Sequence, residues 1–278
     1  MISAITRTFF YTYQKKLSMD GFTSLELSFF ASLASLPLLI PLAFYTVYTN
    51  GFSFSLSVIS WIFVIGLLNI AALWVYMEAL AQTDLGIAGS LKRLTPATVA
   101  VFEPLFLGTI FSPLVGIGCL LAGFGGYVLL LDGTDVFAPL RKLGDRGIQL
   151  GLLTAVAYGV ASVGSRFGAS NVSPYIFGAI ISVIMTAGFW FALKFSSGTS
   201  SFPSRKSFAV LGISNAFKNI SIWVAYSLAS ATHVTTANQI TVIFNILAGG
   251  YFLGEEDMWK KLAGASLILA GIALVILY

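Results

Sequence analysis

Apolar stretches of about one membrane thickness follow one another through the chain, separated by short clusters of turn-forming and charged residues. Laid between those breaks, they predict helices over 2–18, 24–48, 56–82, 86–109, 111–131, 147–167, 173–195, 207–231, 234–253 and 260–277. The breaks include Asn50-Gly51, Ser112-Pro113, Ser173-Pro174 and the serine-rich run 196–204. The first stretch is the least apolar, because Arg7, Lys15 and Lys16 interrupt it before it could serve as a cleavable leader. The expected fold is therefore all-α and polytopic, with ten transmembrane helices.

The pattern repeats. Leu80 to Gly108 starts with Leu-Ala and closes with Phe-Leu-Gly, and so does Leu228 to Gly254. Trp74-Val75 recurs as Trp223-Val224, and Gly116 and Gly123 recur as Gly264 and Gly271. Lys15-Lys16 is echoed by Arg166, and the offset stays near 146–150. The chain divides into a first five-helix repeat over 1–132, a polar connection over 133–146 and a second repeat over 147–278. Duplication of an odd number of spans inverts the second copy, so the arrangement is a 5+5 inverted repeat.

Composition agrees. The 278 residues are 57% hydrophobic and 9% charged, with a mean hydropathy of +0.90. A soluble domain carries about 25% charged residues. The net charge of +4 does not point to nucleic acid, since the cations sit in short connections and form no basic stripe. Lys15, Lys16, Arg141, Lys142, Arg146, Lys194, Arg205, Lys206, Lys260 and Lys261 fall in odd-numbered connections, while the even ones carry only Arg166 and His233. The positive-inside rule then places the odd connections in the cytoplasm and both termini outside. A single cysteine, Cys119, excludes an internal disulfide and a cysteine-based metal cluster. No metal or other cofactor is expected.

Polar residues inside apolar spans carry the functional reading, because a bilayer tolerates them only where they face protein or water. In helix 4, Lys92, Pro96, Val99 and Glu103 are spaced as one face, with Lys92 and Glu103 about 16 Å apart along it. Lys92 reads as a cation facing the substrate and Glu103 as a coupling or gating carboxylate. The competing readings are a snorkelling lysine and a structural hydrogen bond. Pro96 is expected to kink the helix and free a carbonyl. Helix 9 offers Asn238, Thr241 and Asn245 at spacings of three and four, as ligand contacts or as helix–helix glue. Helix 8 carries Asn215, Asn219 and Tyr226 in a stripe with Lys218 beside it; Tyr76 in helix 3 and Tyr158 in helix 6 complete the set. Gly118, Ala122 and Gly126 form a small-residue ridge that packs within a monomer or across a homodimer.

The segments YFLGEEDMWKKLAGASLILAGIALVIL and LKRLTPATVAVFEPLFLG resemble the closing stretches of EamA-type transporters of the drug/metabolite transporter superfamily. The resemblance spans nearly the whole chain, although the first half ends in Thr109 where Gly-Glu is usual. It implies a central cavity lined by helices 1, 3, 4, 6, 8 and 9, and alternating access without ATP hydrolysis. The expected function is secondary transport of a small anionic, zwitterionic or drug-like solute through the cell (inner) membrane, coupled to protons or to a counter-solute. A flippase for a lipid or lipid carrier, and a membrane scaffold, share the fold. A membrane-embedded enzyme has no support: no His/Asp metal cluster, nucleophile motif or phosphate loop occurs.

Overall fold

The computed structural model describes residues 2–51, 56–82, 91–110, 112–128, 144–195, 202–241, 244 and 258–277. Among them are ten α-helices: α1 (Ile2–Met19), α2 (Ser24–Asn50), α3 (Leu56–Gln82), α4 (Thr95–Leu107), α5 (Pro113–Val128), α6 (Arg146–Asn171), α7 (Pro174–Lys194), α8 (Arg205–Leu228), α9 (Ala231–Ala237) and α10 (Met258–Leu277). A 3-10 turn, Asn238–Ile240, continues α9. Five helices, α2, α3, α6, α7 and α8, are long and apolar enough to cross a membrane, and α4, α5 and α10 contain shorter apolar helices. At ~1.5 Å per residue, the 27 residues of α2 reach about 40 Å.

The helices group into two compact units, each drawing on both halves of the sequence. One holds Ile2–Ile70 and Ser165–Leu228; the other holds Ala71–Gly164 and Ala229–Tyr278.

In the first unit α2 packs along α7 and α8, and α1 lies on α8. Phe10, Leu17, Leu27, Phe30, Ala31 and Leu211 form its apolar core. Helix α2 starts where it does because Thr23 and Glu26 cap it reciprocally. The Glu26 amide donates to Thr23 Oγ1 at 3.2 Å, and the Thr23 amide donates to Glu26 Oε2 at 2.8 Å. Trp223 is buried edge-on to Phe177, with ring centroids 6.2 Å apart.

In the second unit the main crossing is α5 on α10. A Cβ on Gly118 would meet the Gly271 carbonyl oxygen at 2.7 Å, and one on Gly125 would meet Ile268 at 2.8 Å. Gly118 and Ala122 of the small-residue ridge expected from sequence thus pack inside the unit, with Gly125 beside them, while the surroundings of Gly126 lie outside the described residues. Much of the outer surface is apolar: Trp61, Phe63, Leu67, Trp74, Leu105 and Phe106 are exposed. A soluble monomer seldom shows so much.

Candidate functional site

The site is built around a break in the chain. Sequence predicts one helix over 86–109, but Arg93 and Leu94 form a turn and α4 begins only at Thr95. Pro96 is the cause: it has no N–H to offer the Lys92 carbonyl one turn back. That carbonyl instead accepts the Thr95 hydroxyl at 2.6 Å. The Ala97 amide donates to the Leu94 carbonyl, and the Arg93 carbonyl accepts Gln239 Nε2 at 3.4 Å. Because of the break, the ~16 Å axial spacing of Lys92 and Glu103 on one continuous helix does not apply.

Helix α6 receives the broken segment on small residues. Gly151, Ala155 and Gly159 recur every four residues and so share one helix face. A Cβ on Gly151 would meet Leu91 Cβ at 3.2 Å, and one on Gly159 would meet Thr98 Cβ at 3.0 Å. The Thr98 hydroxyl donates across to the Ala155 carbonyl at 2.9 Å. This close approach brings Tyr158, the neighbour of Gly159, beside the break. The Lys92 ammonium lies 4.0 Å from the ring centroid of Tyr76 and 4.2 Å from that of Tyr158. Two such contacts contribute about 0.5–2 kcal/mol each and lessen the cost of holding a charge away from bulk water. An ammonium faced by two rings keeps its positive charge, the sign that attracts an anionic group.

Pro96, Val99 and Glu103 are the buried residues of α4. Glu103 has 0% of its surface exposed, and its carboxylate is turned to the start of α9. Oε1 accepts the Ala231 amide at 2.6 Å, and Oε2 accepts the amide and hydroxyl of Thr232, each at 2.6 Å. The first amides of a helix lack internal partners and sit at the positive end of its dipole, so a carboxylate there is doubly favoured. Of the two roles weighed for Glu103 from sequence, the geometry is that of the structural hydrogen bond. Ser230 caps the same turn, its Oγ accepting the His233 amide at 3.2 Å. Helix α9 therefore opens at Ala231 and not at 234, and α8 closes at Leu228 and not at 231. Thr232 and His233 look like loop in the sequence because their polar groups find partners only in the folded chain.

The helix 8 candidates divide. Asn215 is buried, and its Nδ2 donates to the Ala31 carbonyl at 3.1 Å and to Ser35 Oγ at 3.4 Å, tying α8 to α2. Tyr226 is buried, and its carbonyl accepts Arg166 Nη1 at 2.6 Å. Asn219 is half-buried. The Lys218 ammonium sits 4.1 Å from the Phe10 ring centroid and 5.8 Å from that of Tyr11. On α9, Asn238 opens a 3-10 turn, where positions three apart eclipse, so Asn238 and Thr241 still share a face. The Thr241 hydroxyl is buried with no hydrogen-bond partner among the described residues. Asn245 lies outside the described residues.

Residues 1–131 and 145–277 match the EamA-like transporter family. The chain belongs to that family. No curated protein matches it. A solved crystal structure, 17% identical, covers 98% of this chain and 98% of its own with a TM-score of 0.73, which shows a shared fold. As an EamA-like member of the drug/metabolite transporter superfamily, the chain is an integral, multi-pass membrane protein that carries small solutes across the bilayer. Its fold is the family's ten-span 5+5 arrangement. EamA-like proteins are transporters and not enzymes. Seen as parts of an EamA-like transporter, Lys92, Tyr76 and Tyr158 make one cluster, while Asn215 and Glu103 hold helices together. Sequence reading missed Phe10, Tyr11 and the α6 face; the four-residue spacing of Gly151, Ala155 and Gly159 was the available signal.

Proposed function

We propose that this chain is a secondary transporter of a small solute bearing a carboxylate or phosphate group, with Lys92 as its recognition cation. The observation supporting this reading is the Lys92 ammonium held by the faces of Tyr76 and Tyr158 at a helix break. A charge inside a span is costly and persists where it does work on a polar passenger. Amino acids, short carboxylic acids and phosphorylated metabolites all present the needed anion, and the two rings favour a passenger with an apolar body. Movement is by alternating access, coupled to protons or to a counter-solute, in the cell (inner) membrane. The repeats run over 1–132 and 147–278, joined by 133–146. The ligand contacts centre on Lys92, Tyr76, Tyr158 and the Pro96 break, with Lys218, Asn219, Asn238, Thr241 and Asn245 as secondary candidates.

Proteoliposome uptake tests it. A panel of glutamate, phenylalanine, succinate and glucose 6-phosphate is run against the lipophilic cation tetraphenylphosphonium, on wild type, K92Q and K92R. Saturable uptake of an anion or zwitterion, lost in K92Q and partly kept in K92R, supports the reading. Uptake of the cation alone, unchanged in K92Q, overturns it. Scrambling of a labelled phospholipid with no solute uptake would establish the flippase instead.

A further inference from the structure

One end of the α7–α8 pair gathers charge of a single sign. Phe177, in the first turn of α7, meets Trp223, near the end of α8, with ring centroids 6.2 Å apart, so the two packed helices run antiparallel. Lys194 follows Phe177 by seventeen residues and Lys206 precedes Trp223 by seventeen, which sets both at one level, roughly 25 Å along the helices from that contact. Arg205 adjoins Lys206, and all three cations are exposed. The 21 residues of α7 rise about 31 Å, close to the thickness of a hydrocarbon core, so this level is that of the lipid headgroups.

The apolar surroundings fit that level. Trp190 is exposed one turn before Lys194, and the Lys194 ammonium lies 3.8 Å from its ring centroid. Phe191 and Phe195 are exposed beside them, their ring centroids 4.8 Å apart, and Phe202 is exposed on the approach to α8. Positions 190, 191, 194 and 195 share one face of α7. Tryptophan and lysine together at the end of a span mark the boundary between acyl chains and headgroups, where the ring stays with lipid and the ammonium reaches the phosphates.

The anion comes from outside the unit. Its only acidic residues by sequence are Asp20 and Glu26. Asp20 directly follows α1, whose last turn carries Lys16, and the Glu26 carboxylate is taken up by Thr23. Lys194, Arg205 and Lys206 pair with neither among the described residues. Arg205 and Lys206 also stand in the first turn of α8, where positive charge opposes the helix dipole, so they do nothing for the helix that carries them. Charge complementarity selects an anion, and the exposed rings beside the cations select one that brings acyl chains with it.

We infer that Lys194, Arg205 and Lys206, with Trp190 under Lys194, form a headgroup site for an anionic phospholipid at this end of α7 and α8. The guanidinium supplies a planar fork for a phosphate and the two ammonium groups supply point charges. The inference is independent of Lys92, which belongs to the other unit.

The full chain in neutral detergent is titrated with phosphatidylglycerol, with phosphatidylcholine and with inorganic phosphate, and its thermal midpoint is followed. Wild type, K194Q, K194R, R205Q/K206Q and K92Q are compared, and the midpoint without lipid checks that each variant folds. The expected result is a saturable rise with phosphatidylglycerol that phosphatidylcholine does not give. Its half-saturating concentration increases roughly fivefold in K194Q, the equivalent of about 1 kcal/mol per basic side chain at an anionic surface, and further in R205Q/K206Q. It stays near wild type in K194R and K92Q. An equal rise with both lipids overturns the site, and so do curves for K194Q and R205Q/K206Q superimposed on wild type. A phosphatidylglycerol response lost as fully in K92Q overturns it too, by tracing the effect to Lys92. A rise given by inorganic phosphate and not by the lipid, weakened by the same substitutions, overturns the lipid as occupant in favour of a free anion.

Discussion

Glu103 makes the sharpest test of how the second unit is held together. Its carboxylate has no exposed surface and accepts three hydrogen bonds at 2.6 Å from Ala231 and Thr232. Glu103→Ala removes the acceptor and leaves two first-turn amides of α9 buried without one. Each orphan costs about 1–3 kcal/mol, and the lost charge–dipole attraction adds up to ~2 kcal/mol. The expected loss is about 3–5 kcal/mol, or a fall in thermal midpoint of roughly ten degrees at ~2–4 °C per kcal/mol. Glu103→Gln retains one acceptor oxygen but turns an NH2 toward the remaining donors, so it should fall between. Thr232→Val removes only the hydroxyl and should cost about 1 kcal/mol. The readout is thermal unfolding of reconstituted protein, followed by a double-mutant cycle of Glu103→Ala with Thr232→Val. A coupling near 1 kcal/mol is expected, since the residues touch. An unchanged midpoint in Glu103→Ala, with additive effects in the cycle, would refute the cap.

Other substitutions probe separate features. Tyr158→Phe keeps the ring over Lys92 and should leave uptake nearly unchanged, whereas Tyr158→Leu removes one cation–π contact and should raise KM about 3–30-fold, read from initial uptake rates. Gly159→Val drives a side chain into Thr98 and should lower the thermal midpoint by an amount equivalent to about 1–3 kcal/mol while reducing transport, because the α6 face carries Tyr158. Asn215→Leu breaks the bonds to Ala31 and Ser35 and should cost about 1 kcal/mol in unfolding, at ~0.6 kcal/mol per bond, with KM unaltered, which separates packing from ligand contact. Gly271→Leu meets the backbone of Gly118 and Ala122 and should prevent the α5–α10 crossing, visible as loss of a monodisperse peak in size-exclusion chromatography.

The helical layout was legible because each span is a local pattern: an apolar run closed by Gly, Pro, Asn or charge. Prediction put α3 over 56–82, and that range is where it lies. Pro96 announced a break for the same local reason. The partners were not legible. Glu103 and Thr232 are 129 residues apart, and nothing at either position names the other. The same holds for Asn215 and Ala31, and for Lys218 and Phe10. Ends of helices failed where a polar residue is satisfied at long range, as at Thr232. Whether the ridge on α5 packs within the chain or against a second copy was not legible either, because only the facing helix, α10, decides it.

The bond from Arg166 to the Tyr226 carbonyl joins the later part of α6 to the end of α8. A guanidinium committed to a helix-end carbonyl satisfies an oxygen that the helix itself leaves without a partner. His233, in the next connection, is likewise held locally, its Nδ1 2.5 Å from Ser230 Oγ. Lys16, Lys194, Arg205 and Lys206 on the odd side remain exposed. Arg166 thus works as a clasp between two helix ends, and replacing it would loosen α6 from α8 without touching the exposed cations.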